Sequence, residues 1–255
     1  MNSAALRAKE LLKSFGRVVP EDMTIEDIAW AYGLVVTRKD MDGCEGRIVM
    51  NSDAAIITVN TKIDYQPKIN FIIAHEIGHA CLHRDNLPLF TDTDKTLADW
   101  YAKGSHETEA NTFATELLMP ADLFIGKVRK RKFDLPLIES VAEYFGASKT
   151  AAFLRYRELG DFPVMIVFIE NGIIKWETHS PDFPFKWLPL KSKLPAWTVA
   201  GDFFYKGVVE KKPAKVDAIE WFPEDYNIKG NENQKLWEQC FPATQEAIIS
   251  CIWTA

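Results

Sequence analysis

Four of the five histidines in this 255-residue chain, His75, His79, His83 and His106, fall between residues 75 and 106. Clustering of a rare side chain asks for a cause, and the local pattern supplies one. Pro67 opens a run, Lys68 to His83, in which Ile69, Ile72, Ile73, Ile77, Ala80 and Cys81 recur at helical spacing, so the run reads as a helix with a buried stripe. Inside it stands His75-Glu76-Ile77-Gly78-His79. Four helical residues advance ~400° and rise ~6 Å, which leaves the two imidazoles ~40° apart on one face, within reach of one tetrahedral metal ion. Glu76 lies on the adjoining flank, where its carboxylate can take a proton from a metal-activated water instead of ligating; it is the candidate general base.

Chance alone produces such a pentapeptide in on the order of one chain in a hundred of this length, so its surroundings must carry the argument. A catalytic zinc takes a third protein ligand and keeps a fourth position open. A second helix, from about His106 to Met119 before Pro120, offers Glu107 and Glu109. Helical phase separates them. Asn111, four residues after Glu107, shares its face, next to the inward stripe Ala110, Ala114, Leu117 and Leu118, whereas Glu109 lies roughly 200° away. Glu107 is therefore the expected third ligand and Asn111 its neighbour, placed to orient a ligating imidazole. The competing interpretation is a buried helix pair with two satisfied core histidines and a solvated face of Glu107, Glu109 and Glu116.

The rest of the chain predicts an α+β protein. Ser3 to Phe15 and Thr24 to Tyr32 read as amphipathic helices, the second with Thr24 and Asp27 as a capping pair. Leu34 to Arg38, Arg47 to Asn51 and Ala55 to Asn60 read as a small antiparallel sheet. Residues 121 to 159 look helical, with breaks near Phe133-Asp134-Leu135-Pro136 and Gly146-Ala147-Ser148. The texture then changes to short aromatic strands: Val164 to Glu170, an Asn171-Gly172 hairpin turn, Ile173 to Thr178, and stretches around Trp197 to Tyr205 and Val216 to Trp221. Residues 1–160 are thus expected to form a mainly helical domain, and residues 161–255 an aromatic-rich, mainly β domain that could serve as a sensor or docking module.

Hydrophobic residues at 47% and charged residues at 26% suit a chain that buries a core and exclude low-complexity architectures. The longest apolar runs, Val164 to Ile169 and Ala247 to Trp253, fall short of the ~18 to 20 residues that cross a bilayer. The first residues lack the apolar centre of a signal peptide, so neither a membrane anchor nor secretion is expected. Cys44, Cys81, Cys240 and Cys251 show no Cys-x-x-Cys pairing and are expected as reduced thiols in a cytoplasm. A net charge of −6 gives no global field toward nucleic acid.

The pentapeptide, followed by Glu107-x-x-x-Asn111-x-Phe113-Ala114-x-x-Leu117-Leu118-Met119-Pro120, resembles the ImmA/IrrE family of metallo-endopeptidases. The Leu-Leu-Met-Pro ending is the more specific part, and the resemblance extends over roughly residues 1 to 160. It implies a gluzincin-like, zincin-type zinc protease acting on a regulatory protein, commonly a transcriptional repressor. Carried over by motif, His75, His79 and Glu107 would bind Zn2+ and Glu76 would activate water. The tetrahedral oxyanion needs a further donor, for which His83, Tyr101 and His106 are the candidates.

Two other interpretations compete. Residues 126–160 resemble a helix-turn-helix: Ile138 to Phe145, a turn at Gly146, Ser148 as a cap, and a would-be recognition helix from Lys149. With Lys127, Arg129, Lys130, Arg131 and Lys132 just upstream, a DNA-binding regulator would use these residues with Lys149, Arg155 and Arg157 as phosphate contacts. The alternative is a helix pair packed as structure with a solvated charged face. A non-catalytic zinc-containing protein-binding module is the third interpretation; it gives Glu76 nothing to do.

Overall fold

The computed structural model describes residues 3–50, 55–83, 90–91, 105–208, 210, 212–243 and 246–254. Its chain divides into two units, Met1–Lys127 with Ser140–Ser148, and Val128–Glu139 with Lys149–Ala255.

In the first unit, helix α1 (Ser3–Ser14) buries Ala4, Ala8, Leu11 and Leu12. Helix α2 (Ile25–Ala31) starts as its sequence requires: Thr24 Oγ1 accepts the Asp27 N–H, and Asp27 Oδ2 accepts the Thr24 N–H. Strands β1 (Val35–Lys39), β2 (Gly46–Met50) and β3 (Ala55–Asn60) lead into helix α3 (Gln66–Leu82), with Pro67 in its first turn. The short β4 (Phe90–Thr91) pairs with β2, and helix α4 (Ser105–Leu118) follows. Helices α5 (Ala121–Val128) and α6 (Leu135–Phe145) complete the helical part, α6 being divided between the units at Ser140.

The small sheet is mixed, which corrects the antiparallel expectation. Its order is β1-β3-β2-β4, with β1 parallel to β3 and β2 antiparallel to β3. The chain reverses between β1 and β2 and again before β3, so β1 and β3 run the same way. Because β1 lies beside β3 and not beside β2, that shared direction becomes a parallel pair.

Helix α3 carries more than a stripe. Residues Ile72 through Ala80 are buried without interruption, as expected of a helix packed on several sides, and α3 contacts α1, α2, α4, β2 and β3. Glu116 on α4 is buried, not solvated: Oε1 accepts the Ala121 N–H and lies 3.7 Å from Lys9 Nζ. The Leu117-Leu118-Met119 stretch is buried as well, so the chain turns at Pro120 with Glu116 satisfying the start of α5.

The second unit contains helix α7 (Lys149–Leu159) and strands β5 (Val164–Glu170) and β6 (Ile173–His179), joined by Asn171 and Gly172 at φ of 51° and 69°. These left-handed values are what a two-residue hairpin turn demands. Next come helix α8 (Val199–Lys206), strand β7 (Ala214–Asp217), the single turn α9 (Ala218–Trp221), and strands β8 (Lys235–Pro242) and β9 (Ala247–Thr254). The sheet is antiparallel throughout in the order β6-β5-β9-β8-β7. Met165, Val167 and Ile169 face a core with Phe183, Phe185, Trp221 and Phe222. Helix α7 packs against β5 and β6, with Phe133 stacked edge-on to Trp253 and Phe153 face-to-face with Phe241.

Two aromatic stretches depart from the strand expectation. Residues 199–206 are helical because Thr198 caps Gly201 and the buried carboxylate of Glu238 accepts the Val199 and Ala200 N–H groups. Val216 ends a strand, but Ala218–Trp221 closes a helical turn that buries Trp221. The proposed recognition helix α7 is buried over Ala152–Tyr156, with Arg155 paired to Glu158 and Lys149 to Glu139. Those five of its eleven residues are covered, whereas Glu158 is exposed and Lys149 and Arg157 are half-buried. Among the described residues no helix is long and apolar enough to cross a membrane, and none of the four cysteines is in a disulfide.

Candidate metal centre

The centre depends on how closely two helices approach. Gly78 of α3 faces Ala110 of α4: a Cβ at Gly78 would lie 3.2 Å from the Ala110 Cα and carbonyl oxygen and 3.2 Å from Phe113 Cδ1. Ala110, Phe113 and Ala114 are fully buried along that seam. Small residues on both sides let the backbones close, which brings a carboxylate on the first turn of α4 over the histidine face of α3. Gly46 performs the same service on the strand side, since a Cβ there would meet Ile72 Cγ2 at 2.3 Å and lie 3.4 Å from Glu76 Oε1. The Glu76 carboxylate therefore sits between α3 and β2, in a residue only 2% exposed.

His75, His79 and Glu107 offer ligand atoms that all lie within 4.8 Å of one another. The individual separations are 2.9 Å between the two Nε2 atoms, 3.4 Å from His75 Nε2 to Glu107 Oε2, and 3.6 Å from His79 Nε2 to Glu107 Oε1. A tetrahedral ion with bonds of about 2.0 to 2.1 Å keeps its donors about 3.3 Å apart, so the three observed spacings bracket that requirement. Two imidazoles and one carboxylate are the donor types such an ion takes, and they form a group able to hold one.

Both imidazoles are buried and anchored through the nitrogen that faces away from the group. His75 Nδ1 lies 2.8 Å from Asn111 Oδ1, so the ring donates and the amide oxygen accepts. His79 Nδ1 lies 3.2 Å from His83 Nδ1, and His83 Nε2 lies 2.9 Å from Glu109 Oε2. Burial, followed by the neighbouring His75, drives the His79 pKa down to about 3. His79 is therefore held as neutral imidazole, the form with a lone pair to donate.

The structure thus brings together Glu76, His75, His79, Glu107 and Asn111. His83 turns its two ring nitrogens to His79 and Glu109, and His106 stacks on His83 with centroids 4.4 Å apart. Tyr101 lies outside the described residues. Sequence reasoning named His83 and Glu109 but did not connect them, and it missed Gly78. It measured His83 against His75, ~80° away, although the step from His79 is only ~40°. It set Glu109 aside as lying roughly 200° from Glu107, although the Glu109 carboxylate meets His83 at 2.9 Å. It assigned no part to Gly78, although a glycine facing the inward Ala110 of the next helix signals close packing.

Residues 29–157 match the profile of a peptidase family described as the IrrE N-terminal-like domain. An uncharacterized immunity region protein of Bacillus phage phi105 is 38% identical over 80 residues, which is 31% of this chain and 46% of that protein. The chain thus matches less than half the length of this relative. A Mycobacterium tuberculosis transcriptional regulator superposes with a TM-score of 0.65 at 14% identity, covering 100% of this chain and 76% of that one. That likeness is one of fold.

Proposed function

The chain belongs to the IrrE N-terminal-like metallopeptidase family, and on that premise we propose that it is a zinc-dependent endopeptidase. It hydrolyses a peptide bond in a protein partner, a transcriptional regulator or repressor. The observation that carries this reading is the convergence of His75, His79 and Glu107 within 4.8 Å beside the buried carboxylate of Glu76.

His75, His79 and Glu107 would hold the zinc, which would supply Lewis acidity toward a water and the scissile carbonyl. The protein's own groups do the rest. His75 and His79 present Nε2 lone pairs because their Nδ1 atoms are engaged elsewhere, and Glu107 adds one negative charge. Glu76 takes the proton of the attacking water on a carboxylate oxygen and returns it to the leaving amine nitrogen. Burial keeps bulk water from competing for that carboxylate.

A regulator as partner is supported by the phage relative's name as an immunity region protein and by the fold likeness to a transcriptional regulator. The second unit exposes Trp187, Trp197 and Tyr226, aromatic side chains suited to docking that partner. The test is elemental analysis of protein purified without added metal or chelator, followed by incubation with candidate regulators. One zinc per chain, lost in Glu107→Ala, together with a cleaved regulator, is the expected result. A chain that takes up no zinc even after reconstitution overturns the proposal.

A further inference from the structure

We propose that Glu109, acting through His83, fixes which ring nitrogen His79 presents to the metal and thereby sets how tightly the metal is held. Both are positioning residues, and the inference rests on His75, His79 and Glu107 being the ligands.

A neutral imidazole has one N–H and one lone pair. His79 Nε2 faces His75 Nε2 at 2.9 Å and Glu107 Oε1 at 3.6 Å, so its lone pair belongs on that side. Its proton then sits on Nδ1, 3.2 Å from His83 Nδ1, which must accept. His83 in turn carries its proton on Nε2, 2.9 Å from Glu109 Oε2, an oxygen that accepts from it. Each link has one donor and one acceptor. Reversing the sequence of donors would put an N–H on His79 Nε2, aimed at the other two ligands.

The surroundings hold this arrangement in place. His79 and His83 are 2% and 4% exposed, so water does not compete for their nitrogens. His106, stacked on His83 at 4.4 Å, limits rotation of the relaying ring. The two ligating histidines are thereby supported unequally: an amide oxygen backs His75, whereas a carboxylate two links away backs His79. Loss of such an outer partner typically weakens metal binding about 10- to 100-fold.

The experiment measures zinc dissociation constants of the full chain by competition with a chromophoric chelator, zinc alone being the probe. Glu109→Ala and His83→Ala are each expected to weaken binding about 10- to 100-fold. The double variant is expected to be no weaker than the weaker single, because links in series fail together. Glu109→Gln, which keeps an acceptor oxygen, is expected to lose less than Glu109→Ala. Since the Glu109 side chain is 40% exposed, its variants test the idea even if His83→Ala does not fold. Glu109→Ala binding zinc within about twofold of the parent, or losses that multiply in the double variant, would overturn the inference. Unchanged affinity in His79→Ala overturns it by removing its ligand. A parent chain that binds no zinc overturns both this inference and the function beneath it.

Discussion

Glu76 and Asn111 have separable tasks in the proposed function, which makes each accountable to its own measurement. Glu76 is buried beside the group able to hold a metal without being one of its members, so under the proposed function Glu76→Gln should leave metal content at the parent level. Partner cleavage should fall at least about 100-fold, the low end of what a general base contributes. Zinc content and gel-based cleavage on the same preparation check both halves; cleavage at the parent rate would remove Glu76 from the chemistry. Asn111 Oδ1 anchors His75 from behind at 2.8 Å. Asn111→Ala should accordingly raise the zinc dissociation constant about 10- to 100-fold, read by chelator competition.

At the scale of elements, the site is a consequence of the α3–α4 crossing. Gly78 allows that crossing, because two of the three atoms its Cβ would meet at 3.2 Å belong to the Ala110 backbone, which cannot swing aside as the Phe113 side chain can. A β-branched replacement forces the helices apart. Gly78→Val should destabilise the chain by about 1 to 3 kcal/mol, the usual cost of overpacking, and should weaken zinc binding in parallel. Gly78→Ala should be far milder, since alanine's helix preference, worth up to about 1 kcal/mol over glycine, offsets a contact only slightly too close. Urea denaturation and zinc titration of the two variants test this; equal stability of Gly78→Val and the parent would show that the crossing has slack.

At the scale of the molecule, each unit has its own core and its own buried polar anchor. In the second unit, Asp225 is 4% exposed and accepts the backbone N–H groups of Lys186, Trp187 and Asn227, each at 2.8 Å. Burial pushes its pKa up, but the three donors together outweigh burial and leave it below the usual aspartate value. A depressed folded-state pKa means that the stabilisation is present above the unfolded-state value, near 3.9, and is lost as pH falls through the folded value. Asp225→Asn should therefore cost stability at neutral pH by a margin that stays level down to about pH 5 and shrinks below about pH 4. Denaturant titrations from neutral to acid pH measure the margin; growth of the difference on acidification would contradict the assignment.

Much of this was determined by the sequence alone, because it depends on neighbours within a turn or two. Helical phase put His75 and His79 on one face and Asn111 with Glu107; the Thr24 and Asp27 pair started α2; Asn171-Gly172 made a hairpin. Other features depended on residues far apart in the chain, and only tertiary structure decided them. β1 runs parallel to β3 because it lies beside β3, a choice of neighbour that no local pattern encodes. The aromatic stretch at 199–206 became a helix because Glu238, some 39 residues away, accepted its first N–H groups. Glu109 found His83 across 26 residues, and Glu116 was drawn inside by Lys9 and by the start of α5. Periodicity and turn geometry are written into short segments, whereas burial and pairing depend on what the rest of the chain brings alongside.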